Sequence, residues 1–228
     1  MTIPPSDLAI LYSLQHCPYA MRARIAIFKS KQPVLIRAIK LNNKPAEMLA
    51  LSTTGTVPML VSQVHGIATE VVEESLDIML KVLTENDPLQ LLAPQGKESL
   101  QDILLLIEDF ETHFFSAVED YKCAKRYQES NIVECREVCE VYLQKLEKRL
   151  TEHAFLAADQ ESLLDIALMP FVRQFSKVER QWYQQSPYPK LRAWLNAYLQ
   201  SPMFTKIMAK HELWVENHQD IIFGDVKK

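Results

Sequence analysis

The spacing of apolar positions changes near residue 84. Before it, short segments of alternating type follow one another. Residues 8–12 are an apolar run of strand length, and 18–29 place Met21, Ile25 and Phe28 on one helical face. Residues 34–39 are β-branched and follow Pro33, 45–51 have the length of a short helix, and 59–61 read as a strand after Pro58. His65-Gly66 is a turn from which 67–69 returns as a strand. Residues 73–83 are helical, with Leu76, Met79, Leu80 and Leu83 together. The order β-α-β-α-β-β-α predicts an α/β layer domain.

Residues 85–94 interrupt the periodicity with Asn86-Asp87-Pro88 and Ala93-Pro94. Beyond them strand signals stop. Helices are expected over 99–115, 131–150, 162–172, 189–199 and 204–208, the second with Val133, Val138, Val141, Leu146 and Leu150 among its apolar positions. Ser162-Leu163-Leu164-Asp165 fits a capping box that opens a buried helix. The chain therefore divides into an α/β domain over 1–84, a linker over 85–94 and an all-α domain over 95–228.

Composition narrows the function. With 228 residues, a net charge of -4, 48% hydrophobic and 24% charged residues, the chain has enough apolar surface for a globular protein and lacks the basicity of a general nucleic-acid binder. Four glycines against twelve prolines leave no Gly-rich phosphate loop. No apolar run approaches the roughly 20 residues of a membrane-spanning helix, and the first residues have no secretory pattern. Cys17, Cys123, Cys135 and Cys139 are sparse and irregular, so neither a disulfide framework nor a metal site is expected, and the reading is a reduced, cytoplasmic protein.

The chemistry concentrates between the first strand and the first helix. In Leu14-Gln15-His16-Cys17-Pro18-Tyr19-Ala20, Cys17 falls at a helix N-cap with Pro18 at the first helical position. Free amides and the positive end of the helix favour a thiolate there, which makes Cys17 a candidate nucleophile. Val57-Pro58, directly before a strand, suggests a cis proline that leaves the Val57 backbone open to an extended peptide. Glu74-Ser75 opens the next helix and has the donors and charge to clamp a carboxylate and an ammonium group. Tyr12 and Ser13 keep a hydroxyl role as an alternative.

Taken with Leu41-Asn42-Asn43-Lys44-Pro45, these segments resemble the glutathione transferase superfamily, and within it the cysteine-containing, omega-like branch and its bacterial relatives. The resemblance implies a thioredoxin-like glutathione-binding domain followed by a helical-bundle domain for a co-substrate. It places Cys17 beside the glutathione sulfur, the Val57 backbone and Pro58 against the cysteinyl part, Glu74 and Ser75 at the γ-glutamyl end, and Lys44 at the glycyl carboxylate. It implies an enzyme, a glutathione-dependent thiol transferase or reductase of the dehydroascorbate-reductase type. Conjugation of glutathione to an electrophile and a non-catalytic interaction protein are the alternatives. Glutathione is the expected co-substrate, with a homodimer and with no metal, nucleic acid or membrane partner. Position 20 is alanine, so the second thiol of a Cys-x-x-Cys pair is absent.

Overall fold

The computed structural model, which describes residues 4–52, 54–96 and 98–224, divides the chain into two units. One contains residues up to Leu89 together with the segment from Pro202, and the other Gln90–Ser201. The first has a thioredoxin-like arrangement and the second is helical.

In the first unit, strands β1 (Ile10–Ser13), β2 (Val34–Ala38), β3 (Met59–Val64), β4 (Ile67–Val72) and β5 (Ile221–Phe223) lie in the order β4-β3-β1-β2-β5. β1 and β2 are parallel, with Ser13 opposite Ala38. The other pairs are antiparallel, with Tyr12 opposite Met59 and Leu60 opposite Val72. That register brings the end of β1, the end of β2, the start of β3 and the end of β4 to one end of the sheet. Helices α1 (Pro18–Ser30), α2 (Ala46–Leu51) and α3 (Ser75–Glu85) complete the layers, with α1 packed on α3. Successive residues of a strand face opposite sides. Ile10 and Tyr12 accordingly enter a core with Leu35, Met48, Met59 and Val61, while Ser13 turns toward α1. Burial of every residue from Ala20 to Ile27 explains why α1 is apolar nearly all round.

The C-terminal segment departs from the sequence reading, which assigned 95–228 to the helical domain. Helix α10 (Pro202–Ile207) packs on α1, α11 (Trp214–Asn217) follows, and β5 extends the sheet, with Val34 opposite Phe223 and Ile36 opposite Ile221. The Arg37 guanidinium on β2 stacks 3.7 Å from the Trp214 ring and reaches Asp220 at 3.5 Å. Residues 202–224 thus cover the sheet edge that β2 would otherwise expose.

The second unit contains α4 (Leu100–Asp109), α5 (Phe115–Tyr127), α6 (Ile132–Glu152), α7 (Leu163–Ser176), α8 (Arg180–Gln185) and α9 (Pro189–Leu199). A π-helical turn, Phe110–Phe114, joins α4 to α5, so the helix expected over 99–115 continues to Tyr127. On α6 the inward positions are Cys139, Leu143, Leu146 and Leu150, whereas Val133, Val138 and Val141 face solvent. α7 begins at the expected capping box and buries every residue from Leu163 to Val172. Asp165, with no exposed surface, accepts from Leu156 N (2.9 Å), Trp194 Nε1 (3.0 Å), Ser162 N (3.0 Å) and Ser162 Oγ (2.8 Å). Burial pushes its carboxyl up to about 6, against the pull of those four donors.

Candidate active site

Cys17 is the N-cap of α1, with Pro18 next to it and extended backbone angles. Its amide donates to Leu14 O at 3.3 Å and its carbonyl accepts from Met21 N at 2.9 Å, so the loop turns tightly into the helix. The thiol is half-buried and lies 4.0 Å from the Val57 carbonyl oxygen. The Val57–Pro58 peptide is cis. Two of the candidate residues, from opposite sides of the site, are therefore in contact.

A buried arginine holds the loop in place. Arg24, 2% exposed, donates through Nε to Ile207 O (2.8 Å), through Nη1 to Ser13 Oγ and Leu14 O (3.2 Å), and through Nη2 to Gln15 O (2.7 Å). Leu14 O thus receives both this guanidinium and the Cys17 amide, which sets the cation close behind the thiol. Burial lowers the Arg24 guanidinium to about 10, and the negative charge of a Cys17 thiolate opposes that shift.

Both hydroxyls of β1 accept from arginine side chains. Tyr12 is 1% exposed and its hydroxyl accepts from Arg37 Nη1 at 2.9 Å; burial raises its pKa, with Arg37 opposing. Ser13 Oγ accepts from Arg24 Nη1. His16 is exposed, and Ala20 is fully buried on the first turn of α1.

The third element is held from below. Ser75, at the start of α3 and 2% exposed, accepts from Arg22 Nε at 2.9 Å, so α1 also anchors the entry to α3. That bond uses an oxygen lone pair and leaves the hydroxyl proton for another acceptor. Glu73 ties down the preceding loop: its Oε1 accepts from Ser52 Oγ and from Thr54 Oγ1 at 2.8 Å. Glu74, the N-cap of α3, is exposed and has no side-chain partner among the described residues. Lys44 is half-buried beside the same loop. Gly55, at φ +66°, would bring a Cβ to 3.3 Å from Leu49 and 3.7 Å from Lys44 Nζ. Lys44, Val57 and Glu74 therefore border one loop system, with Cys17 reaching it through Val57.

Sequence reasoning missed Arg22, Arg24 and Glu73. A signal existed for the two arginines: charges at positions 22 and 24 in an otherwise apolar helix require buried partners. For Glu73 the segment gave no signal that separates it from Glu74. Among the described residues no cluster of His, Cys, Asp and Glu is arranged to hold a metal, and no helix is long and apolar enough to cross a membrane.

Residues 11–90 match the glutathione S-transferase N-terminal domain, and residues 134–197 match the glutathione S-transferase C-terminal domain. The chain is 26% identical over 222 residues to pyrimidodiazepine synthase of Drosophila melanogaster, spanning 94% of this chain and 86% of that one. It is likewise 26% identical over 211 residues to glutathione S-transferase omega-1 of Mus musculus, spanning 91% and 84%. A glutathione transferase family member of Pseudomonas fluorescens, solved with two glutathione molecules bound, shares its fold with a TM-score of 0.74 at 15% identity, over 89% of this chain and 93% of that one. Two domain matches in the expected order, full-length relatives and a shared two-domain fold lead to one assignment: the chain belongs to the glutathione transferase superfamily.

Proposed function

We propose that the protein is a glutathione-dependent thiol transferase of the omega-like branch, with Cys17 as nucleophile. The observation that carries this is the setting of Cys17: N-cap of α1, backed by Arg24, against the Val57 carbonyl, with Ala20 where a second thiol would stand. The similarity to the mouse omega-1 enzyme supports it. In the first step the Cys17 thiolate attacks the glutathione sulfur of a mixed disulfide. A Cys17–glutathione disulfide forms and the substrate leaves as its thiolate. In the second step a glutathione thiolate attacks that disulfide, releasing oxidised glutathione and restoring Cys17. Glutathione lies along the Val57 backbone next to Pro58, its α-ammonium at Glu74, its γ-glutamyl carboxylate at Ser75 and the α3 amides, and its glycyl carboxylate at Lys44.

Intact mass after incubation with oxidised glutathione tests the nucleophile. One glutathionyl group on wild type and none on Cys17→Ser is expected; an adduct on another cysteine overturns the assignment. Conjugating activity that persists in Cys17→Ser makes the thiol a bystander. Glu74→Ala should weaken glutathione binding about tenfold or more, the usual cost of a charge-assisted hydrogen bond, as measured by calorimetry. By family the protein acts as a homodimer, and light scattering that returns only the 26.3 kDa chain mass at micromolar concentration refutes this.

A further inference from the structure

The second unit contains a cavity of about 380 Å³ between the end of α7, α8 and α9. Arg173, Lys177, Arg180 and Arg192 line it, and no aspartate or glutamate does. In a chain of net charge -4 this is a local reversal of sign. The nearby acids are committed elsewhere. Glu179 is held by Tyr121 at 2.7 Å, Lys125 at 3.1 Å and Arg136 at 3.0 Å, and Glu147 caps α9 through the amides of Lys190 and Leu191. Among the described residues no carboxylate pairs with Lys177, Arg180 or Arg192. The cations repel one another. Burial and then Arg180 lower the pKa of Arg173, and burial followed by Arg173 and Arg180 lowers that of Lys177.

Among the described residues, two buried polar atoms in the cavity lining find no partner: the hydroxyl of Tyr183, a residue 7% exposed, and Nε of Arg192. Arg192 is oriented by a bond from Nη1 to the Gln184 carbonyl. Buried donors are nearly always satisfied, and both of these line the same cavity as Lys177 and Arg180. Leu195 and Leu199 add an apolar wall. We infer that this cavity binds a small molecule through a multiply charged phosphate group, with Arg180, Arg192 and Tyr183 as donors. Guanidinium groups match phosphate oxygens in pairs, a phenol supplies a further donor, and the volume suits a metabolite-sized ligand.

Pyrophosphate is the probe, titrated calorimetrically into the full chain at constant ionic strength so that general screening is held fixed. Saturable binding at one site per chain is expected, weakened at least tenfold by Arg180→Gln or Arg192→Gln and severalfold by Tyr183→Phe. Glutathione affinity should stay unchanged in all three, which separates this site from that of Cys17. Arg180 is exposed, so its loss leaves folding intact, and circular dichroism checks this. No saturable heat, or equal affinity in Arg180→Gln, overturns the inference. Two further arms use vesicles containing phosphatidic acid and a short single-stranded oligonucleotide. Retention of either without pyrophosphate binding assigns the basic surface to a macromolecule and likewise overturns it.

Discussion

Arg24 in the first unit and Asp165 in the second are almost mirror images in charge. Each is buried, each makes four hydrogen bonds, and each fixes a loop to the start of a helix. Asp165 accepts from two backbone amides, a serine and a tryptophan. Arg24 has a half-buried thiol next to the loop it holds. Burial of a charge is therefore no mark of chemistry by itself. What separates the two is whether a group capable of covalent change lies within the field of the buried charge.

Substitutions should separate the two roles, with Asp165→Ala giving the largest effect. Four donors lose their acceptor, and disruption of a buried charged network typically costs about 3–5 kcal/mol. Denaturant unfolding should show this loss, while the rate of iodoacetamide attack on Cys17 in the folded protein stays at the wild-type value. A slowed thiol would break the contrast.

Next is the pH response. Asp165 moves from 3.8 to about 6 on folding, so its folded state binds the proton more tightly than its unfolded state. Its contribution therefore favours folding below 3.8 and is lost as pH rises through 6. Relative to Asp165→Asn, wild type should gain about 2.4 kcal/mol between pH 7 and pH 4. Equal slopes for the two proteins in unfolding experiments across that range would show that the four donors offset the burial and leave the carboxyl titrating as it does in the unfolded chain.

Arg24→Met should slow iodoacetamide attack on Cys17 severalfold, through loss of the guanidinium that holds the loop at Leu14 and Gln15 and whose charge interacts with that of a Cys17 thiolate. Arg24→Lys should recover part of that rate, since it keeps the charge and loses the fork. Equal loss in both variants would mean that Arg24 acts only as a strut. The smallest effect is expected for Ser75→Ala, about 1.5 kcal/mol of stability, because one hydrogen bond to the Arg22 guanidinium is lost. Thermal unfolding measures it.

Much of the first unit was legible because strand and helix periods differ and the segments are short. Cys17-Pro18 and Val57-Pro58 were legible because proline restricts the backbone locally. The rest depended on partners far along the chain. β5 is three residues long, and its reason to be a strand is β2, nearly two hundred positions earlier. Val133, Val138 and Val141 are apolar but stand outside, because composition does not reveal which face of α6 meets the core. α8 has six residues and no periodicity to read. Arg24 was visible as a charge, but its four acceptors become apparent only when the loop after β1 and the carbonyl of Ile207 come together.

The placement of residues 202–224 has a consequence for biosynthesis. The ribosome makes the α/β half first, yet that half cannot be finished until the whole helical unit has been translated. Until then β2 lacks its outer neighbour and the Nε of Arg24 lacks the Ile207 carbonyl. A nascent chain paused after residue 90 would carry Cys17 on an incompletely braced loop and an open sheet edge, the kind of surface that recruits other strands. The Cys17 loop acquires its full support only once residues 202–224 have been made, so the bracing of the thiol waits on a segment translated after the helical unit.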